Sequence, residues 1–322
     1  MRAPDFWYGK SSAGRVLGAL LSPLSIPYRA AAWSKSYRKG FRPRARVLCI
    51  GNLTVGGSGK TPVALSIAQR LQQRGKSVAF LTRGYGGALN GPLRVDAEKH
   101  DAKAVGDEAL LLAHMAPTYL SRDRARGAEL ADADGFDILV MDDGFQNPSL
   151  HKDVSLIVID AASGFGNSHV VPAGPLREPV SRGLARAQAV IIVGDGAPAL
   201  DFRGPVLRAR LEPKENPVSG LSVVAYAGIG RPEKFFATLQ GLGADVVATR
   251  VFPDHHPYSD SEIMALRKLA REKNAQLVTT EKDFVRLAPR SRQGMIVLPV
   301  HAVFDDASAL DTLLAQLEMM RP

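Results

Sequence analysis

The chain has one cysteine, Cys49, among 322 residues, so no disulfide can form within it, which suits a reducing compartment. It has no run of about 20 apolar residues, the length a membrane-spanning helix needs. The longest candidate is thirteen residues, 16–28 between Arg15 and Arg29, and Pro23 and Pro27 interrupt it. Repeats and low-complexity tracts are absent, which excludes solenoid and array architectures. Most of the chain also lacks net charge. The formal +9 resides in residues 1–46, which hold ten Lys/Arg and one acid, Asp5, and leave 31 basic and 31 acidic residues beyond. A neutral body without an aromatic and basic platform argues against a nucleic-acid binder.

What is present begins with that arm. Leu17, Leu20, Leu21 and Leu24 recur at helical spacing on one face, amid Lys/Arg and aromatic residues including Trp33 and Tyr28. Such a segment suits an interfacial helix at an anionic lipid surface. A helix packed on the body is the competing explanation. A signal peptide ending at Ala30-x-Ala32 is another, opposed by the prolines and by the nucleotide loop that follows.

That loop is Thr54-Val55-Gly56-Gly57-Ser58-Gly59-Lys60-Thr61, between the apolar run Val47–Ile50 and an amphipathic stretch from Pro62. Strand, glycine-rich loop and helix form the context of a phosphate-binding loop: backbone N–H groups cradle an anion at a helix N-terminus. Lys60 would reach the β- and γ-phosphates of ATP, and Thr61 would place its hydroxyl on Mg²⁺. The general pattern has glycine first, where this chain has Thr54.

Apolar runs at 77–82, 136–141, 154–159 and 189–193 predict further strands of a parallel sheet covered on both faces. A second cycle of strands and helices starts near Leu221. The expected fold is therefore α/β: a P-loop NTPase-type parallel-sheet domain (47–212), a smaller α/β domain (213–322) and the basic amphipathic segment (1–46). The run 295–299 is expected to pair with 206–211 as a two-stranded connector, and the last strand and helix to pack back on the first domain.

Four stretches supply candidate chemistry. Asp142 ends a strand at the position of a metal-binding carboxylate, with Asp143 beside it to orient water or substrate; turn capping is the alternative for such a pair. Asp107 and Glu108 open a helix after Gly106, where capping and catalysis compete on local grounds. Asp254-His255-His256 lies between prolines; a zinc site lacks further ligands, and a partner for a catalytic carboxylate fits better. Arg83, Arg122 and Arg124 are candidate phosphate clamps.

Together these motifs closely resemble the tetraacyldisaccharide 4'-kinase family. The shared stretches include Gly51–Pro62, Arg83-Gly84-Tyr85-Gly86-Gly87, Asp142-Asp143-Gly144-Phe145-Gln146, Pro172-Ala173-Gly174-Pro175-Leu176-Arg177-Glu178, Phe252–His256 and Thr280-Glu281-Lys282-Asp283. Thr54 is ordinary in that family's loop. The resemblance implies γ-phosphoryl transfer from ATP, with Mg²⁺, to the 4'-hydroxyl of a lipid A disaccharide 1-phosphate precursor at the cytoplasmic face of the inner membrane. It implies Asp107 as general base, a histidine supporting it (His255 preferred to His256), Thr61, Glu108 and Asp142 as metal contacts, and residues 54–61 around ATP. A monomer is expected. The alternative is a membrane-associated ParA/MinD-like regulatory ATPase, against which Val55 stands where those loops carry a lysine.

Overall fold

The computed structural model describes residues 4–9, 12–25 and 40–320. Arg29, Lys35, Arg38 and Lys39 of the basic arm, with Trp33, lie outside them. The first long helix is α1 (Ser12–Leu21). The larger sheet then builds from β1 (Arg46–Gly51), α2 (Lys60–Gln73), β2 (Val78–Thr82), β3 (Leu93–Arg94), α3 (Ala102–Val105), α4 (Asp107–Ala113) and β4 (Thr118–Leu120). It continues with α5 (Arg124–Asp132), β5 (Ile138–Asp142), β6 (Val154–Asp160), α6 (Val180–Leu184), β7 (Ala189–Val193) and β8 (Val206–Pro213).

Every residue of β2, β5, β6 and β7 is buried. Alternate side chains serve opposite faces. On one face, Leu48 and Ile50 join Phe80, Val140, Leu156 and Ile191 beneath Val63, Ile67 and Leu71 of α2. On the other, Val47 and Cys49 join Leu81, Met141 and Ile157 beneath Ala128 and Ala131 of α5. This double cover is why the strands read as unbroken apolar runs.

The second sheet comprises β9 (Ser222–Ala227), α7 (Pro232–Gly241), β10 (Asp245–Val251), α8 (Asp260–Glu272), β11 (Gln276–Thr280), α9 (Glu281–Phe284) and β12 (Ile296–Leu298). Val223, Ala225 and Ala227 of β9 face Phe235 and Leu239 of α7, while Val224 and Tyr226 face Ile263 and Leu266 of α8. The chain ends with β13 (Val300–Phe304) and α10 (Ala307–Met319).

The strand orders are β13-β8-β7-β6-β1-β5-β2-β4-β3 and β10-β9-β11-β12. All pairings are parallel except β3 with β4 and β13 with β8. The connector differs from the sequence expectation. Ile296–Leu298 pairs in parallel with β11, and it is Val300–Phe304 that runs antiparallel to β8, His301 opposite Glu212. Pro299 lies between the two pairings and has no N–H to donate to either ladder. Its carbonyl accepts from Lys214 N at 3.0 Å, where the chain crosses between sheets. Leu310, Leu313, Leu314 and Leu317 of α10 return to the core of the larger sheet.

In the larger sheet β1 lies between β6 and β5; the chain leaves β1 toward β2 on one side and leaves β6 toward β7 on the other, which opens a crevice at their carboxyl ends. Ile50 is in register with Asp142, which brings the glycine-rich loop and the acid pair to that end together.

Candidate active site

The loop after β1 is held from two sides. Asn52 is fully buried, and its Nδ2 donates to Ser58 Oγ at 3.2 Å and Gly56 O at 3.4 Å, drawing the loop into a ring. The segment 175–177 zips along the first half: Val55 N donates to Pro175 O at 2.8 Å, Arg177 N to Leu53 O at 2.7 Å, and Thr54 bridges Leu176 antiparallel. Thr54 therefore belongs to an extended pairing, where glycine's conformational freedom is not needed. Gly56 and Gly59 do need it, with φ of 114° and 82°. A Cβ added at Gly56 or Gly57 would meet nothing within 4 Å, so the cradle opens into free space above a helix N-terminus.

The acids beyond β5 face this cradle. Thr61 Oγ1 donates to Asp142 Oδ2 at 3.1 Å, and Asp142 Oδ1 is buried with no hydrogen-bond partner. Burial, then the charge of Glu108, pushes the Asp142 carboxyl up to about 7. An orphaned carboxylate oxygen beside a threonine hydroxyl fits a hard cation. No group of three or more His, Cys, Asp or Glu able to hold a metal occurs among the described residues. A nucleotide-bound Mg²⁺ needs none, because phosphates and water complete its shell. Thr61 and Asp142 would hold it, with Glu108 adjacent.

Asp143 is held differently. It adopts a left-handed φ of 53°, its N–H donating to Ile50 O at 3.0 Å. Arg177 forks onto it, NH1 to Oδ1 at 2.9 Å and NH2 to Oδ2 at 3.2 Å, and Lys60 Nζ lies 3.7 Å from Oδ1. Burial pushes this carboxyl up, but Lys60 and Arg177 outweigh it and keep the pKa below the usual value. The two neighbouring acids are thus driven in opposite directions.

Across the crevice, the second sheet presents a basic pair. Thr280 caps α9, and Lys282 and Arg286, four residues apart, face Asp107 and Glu108 at the start of α4. Lys282 Nζ lies 3.2 Å from Glu108 Oε1 and 4.0 Å from Asp107 Oδ2. Asp107 is 4% exposed, and its Oδ2 meets Arg286 Nε at 2.8 Å, Arg286 NH2 and His255 Nδ1 at 3.0 Å. Burial alone would raise the Asp107 pKa; the His255 hydrogen bond and the charges of Lys282 and Arg286 hold it well below the carboxylate range. Asp107 is therefore ionised and accepts only, so His255 Nδ1 carries the proton. Its Nε2 lies 3.5 Å from Lys282 Nζ and 3.9 Å from Asp254 Oδ1.

The two histidines part company. His255 turns to Asp107 through a left-handed φ of 59°. His256 instead hydrogen-bonds Glu262 Oε1 at 2.9 Å and stacks on Phe252, with ring centroids 4.9 Å apart. Arg83 is exposed at the crevice side of β2. Arg124 is 2% exposed, its NH1 donating to Ser121 O at 2.6 Å; it acts on Asp143 and Asp142 through its charge. Sequence reasoning passed over Asn52, Arg177, Lys282 and Arg286 as site residues. The first three lie inside motifs that signalled the family, whereas Arg286 lies outside every such motif.

The family model described as tetraacyldisaccharide-1-P 4'-kinase (LpxK) matches residues 17–318. The tetraacyldisaccharide 4'-kinase of Rhodospirillum centenum is 49% identical, over 98% of this chain and 97% of its own length. That of Rhodospirillum rubrum is 48% identical over 100% and 99%. Among solved structures, "apo"-form LpxK from Aquifex aeolicus, crystallised in complex with ATP, aligns with a TM-score of 0.77 at 27% identity. The alignment covers 94% of this chain and 99% of that one.

Proposed function

This chain belongs to the tetraacyldisaccharide 4'-kinase family, and from that premise we propose how its residues divide the work of the reaction. The enzyme transfers the γ-phosphoryl group of ATP to the 4'-hydroxyl of tetraacyldisaccharide 1-phosphate, forming lipid IVA in lipid A biosynthesis. The observation that carries the division of roles is the convergence of Lys60, Thr61 and Asp142 from one sheet with an Asp107 completed by His255 from the other.

The loop 54–61 cradles the phosphates of ATP, and Lys60 contacts the γ-phosphate as negative charge shifts toward the leaving ADP. Thr61 and Asp142, beside Glu108, would hold Mg²⁺, which when bound would neutralise phosphate charge. Asp107 accepts the 4'-hydroxyl proton as the sugar oxygen forms its bond to the γ-phosphorus and the bond to the β-phosphate oxygen breaks. His255 orients Asp107 by donating Nδ1–H to it. Asp143, pinned by Arg177, keeps Lys60 directed along the loop. A regulatory switch ATPase is not favoured, since the family assignment and Val55 both oppose it.

The lipid acceptor sets where the enzyme works. No helix of the described residues is long and apolar enough to cross a membrane. Instead α1 seats itself through Gly18, which is buried against Asn167 and Ala173, and turns Val16, Leu17 and Leu20 to solvent, as the following 3-10 turn (Ser22–Leu24) does Leu24; Leu20 is 72% exposed. That face supports peripheral docking of a monomer at the cytoplasmic face of the inner membrane, the basic arm meeting anionic headgroups. The test of function is labelled γ-phosphate with purified tetraacyldisaccharide 1-phosphate in mixed micelles. Mg²⁺-dependent label in the lipid fraction is expected; label appearing only as free phosphate would refute the reading.

A further inference from the structure

Arg286 occupies a position that charge balance alone does not explain. Its guanidinium is 4% exposed and fully engaged on both edges. NH1 donates to Gly228 O at 2.7 Å and to Asp283 Oδ1 at 2.8 Å. Nε and NH2 both turn to Asp107 Oδ2. Asp283, itself fully buried, is fixed by Gly228 N at 3.0 Å, Tyr258 OH at 2.8 Å and Thr280 Oγ1 at 2.7 Å. A rigid polar cluster at the carboxyl ends of β9 and β11 thus ends in a two-pronged donor aimed at one oxygen of the carboxylate opposite.

The two oxygens of Asp107 are consequently unlike. Oδ2 receives Arg286 twice and His255 once, which exhausts its lone pairs, whereas among the described residues Oδ1 receives only Glu108 N at 2.9 Å. Oδ1 retains one acceptor direction. We propose that Arg286 is a positioning residue for phosphoryl transfer: it clamps Asp107 Oδ2 to the second sheet and so leaves Oδ1 as the atom that takes the hydroxyl proton. This rests on the kinase reading of the site.

A guanidinium beside a carboxylate stabilises the ionised form and so weakens it as a base. The gain from Arg286 is therefore geometric, and depends on the planar fork rather than on positive charge. Lysine supplies the charge without the fork. The same clamp makes the base complete only while the second sheet lies against α4, since Asp283, Gly228 and Arg286 all belong to that half.

The test compares full-length wild type, Arg286→Lys and Arg286→Ala on the lipid acceptor, with thermal midpoints recorded alongside. Arg286→Lys should lower kcat by about tenfold or more while KM for ATP stays within about twofold, as expected for misplacement of a catalytic group. Millimolar guanidinium should restore part of the kcat of Arg286→Ala and leave Arg286→Lys unchanged. If the alanine variant does not fold, the lysine variant decides. An Arg286→Lys kcat within about twofold of wild type overturns the proposal. So does a kcat loss that follows the thermal midpoint and ignores guanidinium, which marks a structural role only. An active wild type with an equally active Arg286→Lys removes only the assignment of Arg286. A wild type unable to phosphorylate the lipid removes the functional reading and this proposal with it.

Discussion

His255 Nδ1 lies 3.0 Å from Asp107 Oδ2, although 148 residues separate the two in sequence. One residue lies in the loop between β10 and α8 of the smaller sheet and the other starts a helix of the larger, so this contact exists only when the sheets face each other across the crevice. His256, next in the chain, points away to Glu262.

The adjacent histidines should therefore separate cleanly in mutants. His255→Ala is expected to lower kcat by about ten- to a hundredfold, the cost of a misoriented base, with little change in thermal midpoint. His256→Ala removes one hydrogen bond and a stacking contact, worth about 1 kcal/mol, and should lower the midpoint by about 2 °C with kcat nearly unchanged. Steady-state kinetics and thermal melts of both variants check this; the reverse pattern would assign the supporting role to His256.

A pH dependence follows from Asp160, at the end of β6. Its carboxylate meets Arg231 NH1 at 2.9 Å and Lys234 Nζ at 3.2 Å, both from the start of α7, tying the sheets together. Burial pushes its pKa up, but Ser163 N–H and the two cations outweigh this and lower it. A lowered folded-state pKa contributes stability above the unfolded value near 3.9, lost as pH falls through the folded value. Asp160→Asn should cost about 1–3 kcal/mol at pH 7.5, and the difference from wild type should shrink as the pH falls below the unfolded value near 3.9 and through the lower folded one. Denaturant melts at a series of pH values measure it; a difference independent of pH would contradict the electrostatic origin.

Leu17→Glu with Leu20→Glu should weaken flotation with anionic vesicles and lower turnover of lipid presented in them, because charge replaces two exposed apolar contacts. ATP hydrolysis without lipid should be unaffected, since both side chains point to solvent. Unchanged vesicle binding would return α1 to a packing role.

How far the sequence revealed this site depended on how local each part was. The cradle is written in eight consecutive residues, and Asp142 announces itself as the polar end of an apolar strand. Asp107 and His255 are each visible in motifs, but their contact is not, because no periodicity links residue 107 to residue 255. Local logic equally could not reach Arg286, which lies outside every recognisable motif and whose role comes from Asp283, three residues earlier, and from a carboxylate 179 residues away. The connector was misplaced by a few residues because 295–299 and 300–304 are both apolar enough for a strand, and only the sheets decide which pairing each completes. Thr54 looked like a departure from the loop pattern until the pairing with Leu176 removed the need for glycine there.

The assignment of Asp107 as the proton acceptor is tested most directly by the rate of 4'-phosphorylation of tetraacyldisaccharide 1-phosphate by Asp107→Ala against wild type, at saturating ATP and Mg²⁺. A fall of at least about a hundredfold, with nucleotide binding retained, is the expected result for a lost general base. Turnover within about tenfold of wild type would contradict it and leave Asp107 as the acidic start of α4.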